Sequence, residues 1–314
     1  MNEKLVRYRV SNWREYNQSL IERGNIELWF NDSVLAQWTG PTATGRRGRP
    51  RVYSDLAMQC LFALRLFYQL PLRATQGLFI SLLRLLDCPL TVPNYSTLCR
   101  RQARLTPGLA ATAAKDARHV LIDSTGLKVS GEGEWKMRTH GKSKRRTWRK
   151  LHLAIDAKTR EIVATRLTEA AVHDGEVLPE LLLQVQGKIR KVTADGAYDT
   201  WECRYEVQLR DAEATIPPRE NAVPAGCADV PPVAERDQAI SQIKQMGLKA
   251  WKQQTGYSQR SLAETTMFRV KATFGEKMKA RLIQNQVAEA VMKSHILNRF
   301  IQQGLPKSTK VAVE

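Results

Sequence analysis

Cysteines and long apolar runs are scarce in this sequence. Its five cysteines among 314 residues are scattered and include no C-x-x-C pair, which argues against a disulfide framework or a zinc site and suits a reducing compartment. No apolar run reaches 18 residues, because Arg65 and Arg84 interrupt the two best candidates, and no signal-peptide segment opens the chain. We therefore expect a soluble intracellular protein that does not interact with a membrane.

Acidic residues are also in short supply. The chain has 49 Lys and Arg against 31 Asp and Glu, which gives a net charge of +18. Its hydrophobic content of 43% is ordinary for a globular protein. The length predicts two or three domains, and the charge favours a polyanionic partner.

Residues 1–52 have little periodicity, and Trp13, Trp29 and Trp38 are the expected packing anchors. The segment ends in a basic stretch in which Arg46, Arg47, Arg49 and Arg51 surround Gly48 and Pro50. An Arg-Gly-Arg-Pro sequence resembles an AT-hook, an extended arm that inserts Arg side chains into a narrow minor groove. The alternative is a basic linker that contacts phosphates only. We predict that 1–52 is an N-terminal arm with a basic linker.

Three helical patterns follow in residues 53–110. Ser54 is placed to cap the first, which runs to about residue 70, and the second covers about 72–86. The third begins near Tyr95 and is predicted to expose Arg100, Arg101 and Arg104. This arrangement suits a helix-turn-helix DNA-binding domain, and the alternative is a helical bundle used for oligomerisation.

Beyond about residue 111 the pattern changes to strands and helices. Apolar or alternating runs at 119–129, 149–159, 161–170, 188–198 and 214–216 predict strands, and the second and third form a hairpin. Helices are expected at 174–186, with Asp174 as its cap, and at 201–210. The predicted fold class is therefore α/β, a mixed sheet with flanking helices after an all-helical N-terminal region.

The C-terminal third is predicted to be helical. Five prolines between residues 217 and 234 indicate a loop, within an insertion at about 217–250. Helices at about 235–253, 255–275 and 282–300 follow, and residues 303–314 are expected to form a loose tail.

The helix predicted at 255–275 has an apolar stripe and, beside it, a polar row. Tyr257, Arg260, Glu264 and Lys271 fall within about 60° of one another on a helical wheel. An i, i+4 pair of Arg260 with Glu264 on a solvated face is the simpler interpretation. Two further carboxylates elsewhere in the sequence favour a functional interpretation of this row.

Asp123 and Asp195 are single acids near the ends of runs otherwise suited to burial. Each alone is most often a turn or capping residue. Together with Glu264 they supply the three carboxylates that a two-metal phosphoryl-transfer site requires, since Mg²⁺ prefers oxygen ligands.

The spacing Tyr257, Arg260, Glu264, Lys271 resembles the Y-R-E-K signature of bacterial insertion-sequence transposases of the DDE class. Asp-Ser-Thr at 123–125 and Asp-Gly-x-Tyr at 195–198 resemble the blocks that hold the first and second catalytic aspartates of that family. The resemblance covers about residues 115–300. It implies a ribonuclease-H-like catalytic domain at 115–302, without the large β-rich insertion domain of some relatives.

The resemblance also implies an activity. The protein would bind the terminal inverted repeats of its element, cleave the 3′ strands and join them to target DNA. Asp123, Asp195 and Glu264 would ligate two Mg²⁺, with Mn²⁺ able to substitute. Arg260 and Lys271 would hold phosphates, and Tyr257 would contact the adjacent DNA backbone.

A basic run supports a DNA partner. Eight Lys or Arg and no acid occur from Lys136 to Lys150, and Lys144, Arg145, Arg146 and Trp148 are its candidate DNA contacts. We expect double-stranded DNA as element end and as target, a homo-oligomer on DNA, and a location in the bacterial cytoplasm with the nucleoid. The alternatives are a metal-dependent nuclease without strand transfer and a helix-turn-helix regulator.

Overall fold

The computed structural model describes residues 6–40, 52–109, 111–129, 147–227 and 229–312. The chain forms two compact units. Unit 1 comprises Met1–Arg101 together with Ile296–Glu314, and unit 2 comprises Gln102–His295. Within the described ranges, every helix is too short or too polar to span a lipid bilayer.

Unit 1 is mainly helical, with one strand from each end of the chain. Its elements are β1 (Val6–Val10), α1 (Trp13–Glu22), α2 (Asp32–Ala36), α3 (Asp55–Phe67), α4 (Leu72–Leu85), α5 (Tyr95–Arg101), the last residues of α11 (Ile283–Gln303) and β7 (Ser308–Ala312). Ser54 caps α3 as predicted, because its hydroxyl accepts a hydrogen bond from Ala57 N at 3.0 Å.

Aromatic side chains form much of the unit 1 core. Trp38 is buried against Phe30 and Phe79, with ring centroids 5.8 and 6.1 Å away, and its indole donates to Thr91 O at 2.8 Å. Trp29 is buried as predicted. The prediction for Trp13 is wrong, because its side chain is 58% exposed.

The two ends of the described chain pair with each other. β1 is antiparallel to β7, in a register that places Tyr8 opposite Lys310. The prediction of a loose C-terminal tail is therefore wrong. The N-terminal segment is also more than an arm, since residues 6–40 contain β1, α1 and α2. A two-stranded ribbon is marginal alone, so packing within unit 1 must support it.

Unit 2 contains the sheet and its helices. The strands are β2 (Arg118–Lys128), β3 (Trp148–Asp156), β4 (Ile162–Glu169), β5 (Ile189–Thr193) and β6 (Glu213–Thr215). The helices are α6 (Asp174–Gln184), α7 (Trp201–Gln208), α8 (Pro231–Met246), α9 (Leu248–Gln254), α10 (Ser261–Phe274) and the first part of α11.

The sheet has the order β4-β3-β2-β5-β6. β3 is antiparallel to both β2 and β4, whereas β5 is parallel to β2 and β6 is parallel to β5. The predicted hairpin is confirmed: its turn is held by Asp156 Oδ1, which accepts from the backbone of Lys158 and Thr159 at 2.8 and 3.1 Å. This mixed α/β sheet is the predicted fold class in its coarse form.

The helices of the C-terminal third begin and end at residues other than those predicted. α8 starts at Pro231, because proline at the first helical position loses no backbone hydrogen bond. Gly247, with φ of +83°, separates α8 from α9 within the single helix expected at 235–253. Gly256, with φ of +69°, precedes a short 3₁₀ turn at Tyr257–Arg260, so α10 begins only at Ser261.

Candidate active site

Asp123 and Asp195 lie at the same level of two neighbouring parallel strands. Asp123 is in β2, and Asp195 lies two residues after the end of β5. Leu121 pairs with Thr193 in the register of these strands, and each aspartate is two residues further along its own chain. Side chains two residues apart on a strand point to the same face, so both carboxyls are on one face of the sheet, just beyond the last pair between β2 and β5.

Arg260 connects the first aspartate to the helix that carries Glu264. Its guanidinium donates from Nη1 to Asp123 Oδ2 at 3.0 Å and from Nη2 to Glu264 Oε1. Glu264 is in the first turn of α10, which packs on β2 and β3. The carboxylates that the sequence selected from distant positions are therefore brought to one place.

The charges of this place affect one another. Burial raises the pKa of Asp123, and the negative charges of Asp195 and Glu264 raise it further, while Arg260 and the Ser124 N–H oppose the shift. Asp195 accepts a hydrogen bond from Ala197 N at 2.9 Å and begins the 3₁₀ turn at Gly196–Tyr198. The site is thus a partly buried carboxylate cluster with one guanidinium as its counter-charge.

Tyr257 does not lie in an exposed row with Glu264, as the helical wheel predicted. It is in the 3₁₀ turn and only 8% exposed, packed with Trp251 at a ring-centroid distance of 6.2 Å. The Arg260 guanidinium lies over its ring, 5.9 Å from the centroid. Tyr257 therefore supports Arg260, and a direct DNA contact is not what its burial favours.

Lys271 remains on the Glu264 side of α10. On an ideal helix the two residues lie about 20° apart around the axis. Lys271 is half-buried, and among the described residues its ammonium has no ion-pair partner. Its charge is available to an anion from outside the chain.

A fourth acid, Asp174, belongs to the surroundings of the site and was predicted only as a helix cap. His173 is the capping position instead, and Asp174 accepts from Ser124 Oγ at 2.9 Å and from Lys150 Nζ at 3.0 Å. Ser124 is the neighbour of Asp123, so Asp174 helps to fix the part of β2 that carries Asp123. A lone acid between a strand and a helix was the sequence signal, but it fits an ordinary cap equally well.

Tyr198, of the Asp-Gly-x-Tyr block, is fully buried, and its hydroxyl has no hydrogen-bond partner among the described residues. Burial raises its pKa strongly, and the charges of Asp174, Asp195 and Asp123 add to that rise. The phenol is therefore a neutral donor close to three carboxylates.

The donor chemistry fits a divalent cation. Carboxylate oxygens are the ligands that Mg²⁺ prefers. Among the described residues, however, no group of three or more His, Cys, Asp or Glu is arranged to hold a metal ion. Arg260 instead pairs with one oxygen of Asp123 and one of Glu264.

The remaining predicted DNA contacts have different outcomes. Arg100 and Arg104 are exposed. Arg101 is not, because it forms an ion pair with Asp55 and donates to Tyr53 O at 2.7 Å, so its prediction as an exposed contact is wrong. Trp148 is half-buried, with Lys128 Nζ 5.7 Å from its ring centroid. Five contacts lie outside the described residues: Arg47, Arg49, Lys144, Arg145 and Arg146.

Carboxylates from two neighbouring strand segments and a helix, beside the cations Arg260 and Lys271 in a basic protein, define a candidate site for phosphoryl transfer on nucleic acid. Two models of the Transposase DDE domain match the chain, one over residues 21–132 and the other over residues 114–299. Among solved structures, the chain is similar to a piggyBac transposase synaptic complex with hairpin DNA. That match has a TM-score of 0.40 and 13% sequence identity, over 90% of this chain and 74% of that chain.

The match at residues 114–299 spans more than half of the chain, so the protein belongs to the DDE transposase family, of the insertion-sequence type. The family predicted from the sequence is confirmed. Its members cut and join DNA and generally use divalent metals. The Y-R-E-K signature and the individual residue roles stay predictions.

Proposed function

We propose that the protein binds the terminal inverted repeats of its own mobile element, cleaves the 3′ strand at each end and joins the 3′-hydroxyls to target DNA. The observation that carries the proposal is the contact of Arg260 with both Asp123 and Glu264, at the level of the sheet where Asp195 follows β5. Carboxylates more than a hundred residues apart in sequence share one cation. A ribonuclease-H-like catalytic domain at about 115–302 is part of the proposal, supported by the mixed five-stranded sheet.

In this proposal Asp123, Asp195 and Glu264 hold two divalent cations, Mg²⁺ with Mn²⁺ able to substitute. Ions bound there would activate the attacking oxygen and stabilise the leaving oxygen of each transesterification. Lys271 and Arg260 bind phosphates near the scissile bond, and the ring of Tyr257 packs against the Arg260 guanidinium. Positioning and charge neutralisation carry such chemistry, so no covalent enzyme intermediate is needed.

The DNA partner is supported by charge. The net charge of +18 favours polyanion binding. Arg100 and Arg104 are exposed, and the helical region at 53–110 is proposed to recognise the terminal repeat with them. The basic segments around Arg47 and Arg49 and around Lys144, Arg145 and Arg146, with Trp148, are proposed as further DNA contacts. A homo-oligomer on DNA would bring the two element ends together.

A strand-transfer assay tests the proposal. The full-length protein is incubated with a duplex made from the DNA that flanks its reading frame, a supercoiled target plasmid and Mg²⁺, with Glu264→Gln as the control. Joined products that need Glu264 are expected. Nicking without joining would identify the nuclease alternative, and sequence-specific binding without cleavage would identify the regulator.

A further inference from the structure

Arg260 is the only described cation that pairs with two of the three proposed metal ligands. It contacts Asp123 and Glu264 at the same time, and the side chains of Arg260 and Asp123 are 20% and 13% exposed. Lys271, on the Glu264 side of α10, makes no such pair within the described ranges. The charge of Arg260 is therefore specifically committed to the carboxylates of the site.

A divalent cation and a guanidinium compete for these carboxylates. Each oxygen that accepts from Arg260 has one lone-pair direction fewer for a metal, and two cations at ligand distance repel one another in a partly desolvated site. Binding of a metal to Asp123 and Glu264 must weaken the pairs with Arg260. Conversely, Arg260 lowers the affinity of the metal-free protein for the metal.

A phosphate of the DNA is a suitable new partner for the guanidinium once it has left the carboxylates. Guanidinium groups bind phosphate oxygens in a bidentate manner, and a side chain can exchange one oxyanion for another without any movement of the fold. When a phosphate of the DNA end binds Arg260, the carboxylates of Asp123 and Glu264 become available to the metal.

We propose that Arg260 couples metal binding to DNA binding: it is the counter-ion of Asp123 and Glu264 in the free protein, and it moves to a DNA phosphate when the metal binds. This inference rests on the proposed function. Because coupling of two ligands is reciprocal, DNA raises metal affinity by the same factor by which the metal raises DNA affinity. The site then binds the metal mainly when DNA is already bound.

Metal titration in the absence of DNA gives the first test. Mn²⁺ binding by the full-length protein is measured by calorimetry at fixed ionic strength for the wild type, Arg260→Ala and Lys271→Ala. Both variants lose one positive charge from the same region, but only Arg260→Ala frees the carboxylates. We expect Arg260→Ala to bind Mn²⁺ at least threefold more tightly than Lys271→Ala does. Equal changes in the two variants would reduce the effect to net charge and overturn the inference.

Titration on DNA gives the second test. Ca²⁺ is titrated into the protein with and without a donor-end duplex, because Ca²⁺ also binds to oxygen ligands. Strand cleavage is measured in a separate assay. Couplings between sites are typically about 5–150-fold, so we expect the wild type to gain about fivefold or more in Ca²⁺ affinity on the duplex. Lys271→Ala should keep most of that gain and Arg260→Ala should lose most of it. Arg260→Lys keeps the charge but not the two-armed contact, and should be intermediate in both titrations.

The failures can be told apart. If Asp195→Asn removes Mn²⁺ binding while Arg260→Ala leaves both the affinity and the coupling unchanged, the inference is wrong and the proposed metal site stands. If neither Asp195→Asn nor Glu264→Gln alters Mn²⁺ binding, the metal site itself is wrong. Thermal unfolding of each variant shows that it is folded, and Arg260→Lys replaces Arg260→Ala if the alanine variant is not.

Discussion

Asp123 and Glu264 use their negative charges within the site, where both pair with Arg260, and Asp195 has no ion pair among the described residues. Asp195 accepts one backbone hydrogen bond, which an amide oxygen also accepts, and Glu264 is 56% exposed. Changing them to Asn, Asn and Gln keeps their shape and removes the charge that holds a metal. We expect each change to abolish Mg²⁺-dependent cleavage while DNA-end binding stays within about threefold, since phosphate binding depends on cations. Near-normal cleavage by any one variant would remove that residue from the site.

Lys271 tests whether the polar side of α10 is catalytic. Its truncation opens no core cavity, and surface changes of this kind move stability by no more than about 0.5 kcal/mol. A cation beside a transferring phosphoryl group is worth more, roughly 2.7–4 kcal/mol for one electrostatic donor. Lys271→Ala should therefore keep its melting temperature and lose on the order of a hundredfold in cleavage rate. Lys244→Ala, an exposed lysine in the last turn of α8, is the matched control and should change neither quantity.

His152 gives the protein a pH-dependent stability that is independent of its catalysis. It is fully buried on β3, Nε2 shares a hydrogen bond with Thr168 Oγ1 at 2.8 Å, and Nδ1 has no partner among the described residues. Burial lowers its pKa to about 4, Lys150 and Arg166 lower it as well, and Asp174 opposes them. In the unfolded chain the pKa is near 6.5.

The sign of the effect follows from proton binding. Between about pH 4 and 6.5 the unfolded chain binds a proton at this position and the native protein does not, so acidification destabilises the native state by at most about 1.4 kcal/mol per pH unit. His152→Leu removes this proton. Urea unfolding at pH 7 and pH 5 should show a smaller loss for the variant than for the wild type. Parallel losses would mean that His152 binds protons equally in the native and unfolded states. The pKa of His119 is also lowered to about 4, but His119 is present in both proteins and contributes equally to both losses.

At the scale of elements, the strands of unit 2 were predictable and some helix ends were not. Alternation of apolar and polar residues and runs of β-branched residues depend directly on burial in a sheet. For this reason β2 to β6 lie close to the positions predicted from the sequence. A helical wheel assumes that the helix continues. It grouped Tyr257 with Glu264, whereas Gly256 takes a left-handed conformation and Tyr257 packs on Trp251. The same limit concealed the break at Gly247.

Gly256 should therefore be costly to replace. Its φ is +69°, and a Cβ would have open space, so any cost comes from the backbone alone. A left-handed residue with a side chain costs roughly 1–2 kcal/mol. Gly256→Ala is expected to lose about 1 kcal/mol in the free energy of unfolding and to slow cleavage, because Arg260 follows in the same turn. Gly108→Ala, also open to a Cβ but without positive φ, should change stability by less than about 0.5 kcal/mol. Equal effects of the two substitutions on urea unfolding would exclude the conformational explanation.

At the scale of the whole molecule, long-range pairings were beyond the sequence. β1 and β7 lie about 300 residues apart in sequence, and neither segment has a pattern that indicates which strand it pairs with. The sequence therefore predicts a loose tail where the structure has a strand. The carboxylates of the site are also far apart, but metal chemistry restricts which residue types can meet, and a known family pattern selected them. Chemistry therefore predicted the site better than it predicted the ends of the chain. Unit 1 includes residues 296–314, so DNA binding is best tested on the full chain.

Arg100, Arg101 and Arg104 offer a comparison of three neighbouring cations. Arg100 and Arg104 are exposed, whereas Arg101 pairs with Asp55 and donates to Tyr53 O. Arg101→Ala should lower the melting temperature, since it removes the ion pair with Asp55 and the hydrogen bond to Tyr53 O. Arg100→Ala and Arg104→Ala should leave the melting temperature unchanged and weaken DNA binding.

The kind of DNA contact decides how binding weakens. If Arg100 or Arg104 reads base edges, its loss should cost about 1–3 kcal/mol on the terminal repeat and far less on random DNA. If the contact is to phosphate, binding to both duplexes should weaken equally, and the slope of log affinity against log salt should fall by about 1. Fluorescence anisotropy with both duplexes at several salt concentrations separates these outcomes. Unchanged affinity for both duplexes in the Arg100→Ala, Arg104→Ala double variant would place the DNA-binding surface of this transposase elsewhere.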